Sequence, residues 1–165
     1  MKKNNFLAST VVTFFGIGRV PFAPGTVASF ITSLLVVVAI KNNISPMILA
    51  ALSLLLAALA IPLANRYPGI DSDPKEIVID EVAGQMLTYA LALLFCNNVH
   101  NGHTTLALML PFLLFRFFDI VKPWPIGMID QRVKGGLGVM LDDLVAAVVA
   151  ALFYFVLDIL LVIII

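Results

Sequence analysis

Asp80 and Glu81 stand side by side, Asp142 and Asp143 repeat the arrangement further along, and Asp119 lies between the two pairs. Nine of the ten acidic residues fall within 71–81 and 119–143, in a chain whose remainder is mostly uncharged hydrocarbon. Adjacent carboxylates repel, and holding both ionised against a bilayer is costly without a cation. A helix N-terminus needs only one acid as a cap, so Asp80, Glu81, Asp119, Asp142 and Asp143 exceed what capping requires. Together they point to a divalent metal. Hard oxygen ligands without paired His or Cys select Mg2+ over zinc. Mg2+ takes only one or two carboxylates directly and completes its shell with water and phosphate. Five acids therefore serve one ion with support, or two ions.

The residues around these acids point the metal towards a phosphate. In FRFFDIVKPWP, residues 115–125, Arg116, Asp119 and Lys122 recur every third position at the end of a helix that Pro123 stops. There Asp119 is a metal ligand or base, and Arg116 and Lys122 can grip phosphate oxygens. GIGRVPFAPGT, residues 16–26, offers glycines for close backbone approach. In it Thr26 is a candidate cap for a helix whose N-terminal amides attract an anion. IDSDPKEIVIDEVAGQ, residues 70–85, places Asp80 and Glu81 at a helix start, with Gln85 one turn below and Gly84 allowing close packing. Asp71 and Asp73 are read as solvated loop charges, because no hydrophobic strand precedes them as in aspartyl-phosphate phosphatases. KGGLGVMLDDLVAA, residues 134–147, reads as a glycine-rich turn with Asp142 and Asp143 opening the last helix.

The elements that must position these groups are membrane helices. Hydrophobic residues make up 61% of the 165, and mean hydropathy is +1.06, far above soluble proteins. About 20 apolar residues span a bilayer, and candidates lie at Thr26–Ile40, Pro46–Ala64, Val82–Cys96, Thr104–Phe118 and Leu144–Ile165. The expectation is an all-α integral membrane bundle of about five transmembrane helices, forming a single domain over 1–165. Phe6–Ile17 is expected to lie at the interface, and no A-x-A site marks a cleaved signal. The third and fourth spans are short, so they are expected to borrow flanking residues or to form a tight hairpin through the polar stretch 97–103. Nine of the ten Lys and Arg residues lie in the N-terminal segment, 65–81 and 116–142, which puts these on the cytoplasmic side. The five acids then sit at headgroup level, with Trp124 as an interfacial anchor and His100 and His103 on the opposite face. Cys96 has no partner for a disulfide, and no basic arm points to nucleic acid.

In order and spacing, GIGRVPFAPGT, IVIDEVAGQ, FRFFDIVKPWPIGMID and GGLGVMLDDLVAA resemble the phosphatidylglycerophosphatase A family over about residues 14–150. Ala28 and Ala147 stand where that pattern has glycine, and Arg19 where it has an apolar residue. The resemblance implies Mg2+-dependent hydrolysis of the terminal phosphomonoester of phosphatidylglycerophosphate, a phospholipid substrate, in the bacterial inner membrane. On this reading Asp80, Asp119, Asp142 and Asp143 hold the Mg2+, and Glu81 orients or deprotonates the attacking water. Arg116 and Lys122 stabilise the transferring phosphoryl group, while Thr26 and the Gly16–Gly25 backbone, including Gly25, hold the diester phosphate.

Two other classes use similar residues. A phosphatidyltransferase also clusters carboxylates on membrane helices, but its D-G-x2-A-R pattern is absent. A transporter or channel predicts carboxylates near the bilayer midplane rather than at one face. The C-x5-R loop and paired histidine motif of other phosphatases are also missing.

Overall fold

The computed structural model describes residues 6–70, 74–95 and 104–164. Lys2, Lys3, Asp71, Asp73, Cys96, His100, His103 and the expected 97–103 hairpin lie outside the described residues. The chain is an all-α membrane bundle, and among the described residues there is no strand. Its helices are α1 (Phe6–Val12), α2 (Pro24–Lys41), α3 (Pro46–Ala64), α4 (Ile79–Phe95), α5 (Thr104–Val121), α6 (Ile126–Arg132) and α7 (Gly135–Ile164), with one 3-10 turn at Ile17–Arg19.

All five expected spans are helical over their described residues. Three of them, α2, α3 and the 26-residue stretch Gly135–Leu160 of α7, are long and apolar enough by length and composition to cross a membrane. Their outward faces carry Leu34, Leu35 and Val38 on α2, Leu54, Leu55 and Leu59 on α3, and Leu152 and Val156 on α7. Their inward faces are small or polar: Ala28, Ser29, Thr32 and Ser33 on α2, Ser53, Ala57, Ala60 and Ala64 on α3. Lipid is as apolar as leucine, so burying leucine gains little in a bilayer and close backbone approach decides the interior. Buried hydroxyls stay satisfied. Thr32 and Ser33 donate to the carbonyls of Ala28 and Ser29, both at 2.8 Å, and Ser53 donates across to the Ala83 carbonyl at 2.7 Å.

α4 is the central element, packed against α2, α3, α5 and α7. This position explains how a membrane helix can carry Asp80, Glu81, Gln85 and Thr88, since its neighbours shield them from lipid. Gly84 sets the spacing. A Cβ there would come within 2.6 Å of the Phe115 ring and 3.0 Å of the Asp143 carbonyl oxygen, so its absence lets α5 and α7 close on α4.

Two helix starts differ from the sequence reading. Asp142 and Asp143 do not open the last helix, which begins at Gly135 and carries them two turns inside. The glycines are its first turn: Gly136 packs on the Ile61 carbonyl, and its N–H donates to Asn65 Oδ1 at 2.6 Å. A side chain at 136 would keep α7 off the end of α3, so composition that resembles a turn serves close helix contact. Thr26 is not a cap either. α2 starts at Pro24 after Ala23, whose φ of 43° is left-handed and which makes no side-chain cap bond, leaving Thr26 as the third helical residue.

At the N-terminal end of the described chain, α1 is only seven residues long and packs against α3, with the Val12 carbonyl accepting from the Val78 N–H at 3.0 Å. Gly18 lies against the Glu76 carbonyl, which joins the N-terminal loop to the segment entering α4. There the Tyr67 hydroxyl donates to Glu76. Burial, and then this carboxylate, push the phenol up to about 12.

Candidate active site

The N-terminus of α2, the first turn of α4, the last turn of α5, the end of α6 and the first three turns of α7 enclose a cavity of about 350 Å3. Gly25, Thr26, Asp80, Glu81, Arg116, Asp119, Lys122, Asp142 and Asp143 all lie on its wall. Gly16, Gly18 and Arg19 do not; Arg19 is exposed and donates to Ser9 Oγ at 3.1 Å. Ala28 and Ala147, where the resemblance led to glycine being expected, are fully buried where helices pack.

The charged groups divide into two sets. Arg116 Nη1 lies 2.5 Å from Asp119 Oδ2, 3.9 Å from Glu81 Oε1 and 3.4 Å from Ser29 Oγ, and so ties α5 to α4 and α2. Lys122, just beyond the end of α5 with φ 46°, donates from Nζ to Asp142 Oδ2 at 2.6 Å and Asp130 Oδ1 at 2.7 Å. Burial alone lowers the Lys122 pKa, but the bonds to Asp130 and Asp142 outweigh it and hold the ammonium above its ordinary value. Both cations expected to grip phosphate are thus already engaged by carboxylates.

Among the described residues, the second set meets a cation only through Glu81, 3.9 Å from Arg116. Asp80, Glu81 and Asp143 each bring a carboxylate oxygen within 4.8 Å of the others. Asp80 Oδ1, Glu81 Oε2, Asp142 Oδ1 and Asp143 Oδ2 are buried and without a hydrogen-bond partner. Orphaned carboxylate oxygens in a shielded interior require a cation or protons. Counted around the wall, six carboxylates face four basic side chains, an excess equal to the charge of one divalent ion. The donor set is all oxygen, which suits Mg2+. Relative to the expected set, Glu81 joins Asp80 and Asp143 in the close carboxylate cluster, while Asp119 and one oxygen of Asp142 are held by Arg116 and Lys122.

The chain matches the family model described as phosphatidylglycerophosphatase A over residues 10–158. It belongs to the phosphatidylglycerophosphatase A family. A phosphatidylglycerophosphatase A of Haemophilus influenzae is 31% identical over 143 residues, covering 86% of this chain and 82% of that one. The Escherichia coli protein of the same name is 50% identical over 46 residues, 27% of each chain. A Bacteroides thetaiotaomicron protein named as a candidate phosphatidylinositol-3-phosphatase is 33% identical over 152 residues, 90% of this chain and 91% of that one. No solved structure matches. Membership of the phosphatidylglycerophosphatase A family makes the chain a phosphatase.

Sequence reasoning passed over three residues on that wall, Asp130, Lys75 and Lys134. Asp130 ends the quoted motif FRFFDIVKPWPIGMID, and only the return of α6 brings it back to Lys122. Gly25 has a sharper role than backbone permissiveness. A Cβ there would run into the Glu81 carboxylate and lie 3.4 Å from Arg116 Nη2. The Gly25→Ala variant is expected to stay folded, because a carboxylate end can move, and to lose about tenfold in kcat/KM. Steady-state phosphate release beside a thermal melt checks this; unchanged kcat/KM would separate Gly25 from the site.

Proposed function

We propose that this phosphatase hydrolyses the terminal phosphomonoester of phosphatidylglycerophosphate, with Mg2+, to phosphatidylglycerol and inorganic phosphate, as a step of phospholipid synthesis. The observation that carries this reading is the cluster of Asp80, Glu81 and Asp143, each with one buried oxygen lacking a hydrogen-bond partner, beside Arg116 in a cavity walled by membrane helices. The names of the Haemophilus and Escherichia relatives supply the lipid. The bias of Lys and Arg supports a cytoplasmic active site in a bacterial inner membrane, where this lipid's headgroup would meet the cavity.

Asp80 and Asp143 would hold the Mg2+, with Asp142 supporting through its free oxygen; a bound Mg2+ neutralises phosphoryl charge and acidifies a coordinated water. Glu81 accepts the proton of the attacking water. The water oxygen forms the new bond to phosphorus, the bond to the glycerol oxygen breaks, and the leaving alkoxide takes the proton back from Glu81. Arg116 keeps one donor for the reaction: its Nε is buried and without a partner while Nη1 is engaged, so Nε can bind a phosphoryl oxygen. Asp119 fixes that guanidinium. Lys122 holds Asp142 in place rather than gripping phosphate.

Phosphate release from phosphatidylglycerophosphate in detergent micelles tests the reading, with Mg2+ and with EDTA. Release is expected with Mg2+ and loss of it with EDTA, restored on adding Mg2+ back. The name of the Bacteroides relative favours a second substrate, so phosphatidylinositol 3-phosphate belongs in the same assay. A higher kcat/KM on the inositol lipid would overturn the glycerol headgroup, and full activity in EDTA would overturn the metal.

A further inference from the structure

Of the four basic side chains on the cavity wall, Arg116 and Lys122 are committed to carboxylates, and Lys75 and Lys134 are not. Both are exposed, and neither makes an ion pair among the described residues. Lys75 lies in the segment leading into α4, and Lys134 immediately precedes the first residue of α7. They therefore come from the entrances of the two helices that carry Asp80, Glu81, Asp142 and Asp143 deeper in the cavity. The cavity is polarised along its depth, with carboxylate oxygens that lack hydrogen-bond partners inside and exposed ammonium groups, unpaired among the described residues, at the rim. Carboxylates with a divalent ion accommodate one phosphate; the rim cations suit a second anion that must not approach those carboxylates.

We propose that Lys75 and Lys134 form a second anion subsite that takes the phosphodiester phosphate of the substrate while its terminal phosphate lies among the carboxylates. This rests on the functional reading above. Both lipids named for the relatives are phosphatidyl compounds, which carry a diester phosphate between the diacylglycerol and the headgroup in addition to the phosphate removed. The diester has one charge and no proton to lose, so it needs point-like positive charge rather than a metal or a bidentate clamp, and lysine provides this. A cavity of about 350 Å3 is of the size that holds a small headgroup. The subsite selects for a lipid with two phosphates and rejects phosphatidic acid, whose single phosphate would leave the rim cations unpaired.

The test is the double variant Lys75→Gln/Lys134→Gln in neutral detergent with Mg2+. KM for phosphatidylglycerophosphate is expected to rise about tenfold, roughly threefold for each exposed charge contact, with kcat within about twofold. Direct binding of fluorescent phosphatidylglycerol, which has the diester but no monoester, should weaken by the same factor. Inhibition by inorganic phosphate should not change. The Lys75→Arg/Lys134→Arg variant should retain KM, and Arg66→Gln/Arg132→Gln, which removes exposed charges off the cavity wall, should leave it unaltered. Unchanged binding of phosphatidylglycerol by the Gln double variant would overturn the subsite, as would an equal loss in the Arg66/Arg132 control. The binding arm needs no turnover. Absence of phosphate release by wild type would therefore count against the functional reading alone.

Discussion

Replacing Asp143 with Asn is expected to lower phosphate release by about 10³-fold and, in the absence of Mg2+, to raise thermal stability. The two effects share a cause. Asp143 is 3% exposed, one of its oxygens has no partner, and it lies in the cluster with Asp80 and Glu81. Three carboxylates gathered in a shielded interior destabilise the metal-free fold, and removing one charge relieves this. The same charge is what would anchor the ion and orient the phosphoryl group, so the variant loses function. Thermal melts in EDTA and in Mg2+, beside the phosphate assay, check both effects. Wild type should gain stability from Mg2+ and the Asn variant much less, by mass action of an ion that binds only the folded state. Full activity in a folded Asp143→Asn protein would remove the centre of the proposed mechanism.

Lys122→Met is expected to act in the opposite sense on stability. Lys122 Nζ bonds both Asp142 and Asp130, and the Asp142 side chain is only 6% exposed. Withdrawing one member of a buried pair leaves the other as an uncompensated charge, a loss of about 3 kcal/mol, or roughly 6–12 °C in the melting midpoint. Adding Asp142→Asn to Lys122→Met should recover most of that loss, because the stranded charge is then gone. The pH dependence follows from the raised Lys122 pKa. A cation held above its ordinary value contributes stability that is fully present below the unfolded lysine value and is lost as pH rises through the folded one. The contribution of Lys122 to wild-type stability should therefore persist through neutral pH and be lost only in strong alkali. A Lys122→Met protein as stable as wild type would show that the pair carries no structural role.

The gathering of these residues was legible in the sequence because it follows from local chemistry. Two pairs of adjacent acids, an Arg–Asp–Lys stripe before a proline and the Gly25–Thr26 approach to a helix are all short-range patterns, and the nine residues they single out line one cavity. The helices were legible because lipid imposes length and apolarity. What the sequence did not show depends on contacts between distant segments. The first turn of α7 looked like a turn because its glycines answer to Ile61 and Asn65, some 70 positions earlier. Which acids are neutralised and which are left over is decided by α6 returning Asp130 to Lys122, and by Arg116 reaching Asp119 beside Ser29 of α2. Lys75 and Lys134 look like ordinary loop charges until the cavity between α4 and α7 is closed.

The early start of α7 also bears on how a lipid reaches the chemistry. Asp143 is eight residues beyond Gly135, which along an α-helix is about 12 Å below the helix's first residue. A phosphate held level with Gly135 does not reach that far along the helix. On the proposed function, the lipid would have to pass its terminal phosphate down into the bundle and shed hydration water on the way, so dehydration of the headgroup would become part of the activation barrier, and lipids whose headgroups hold water more tightly would be turned over more slowly whatever their shape.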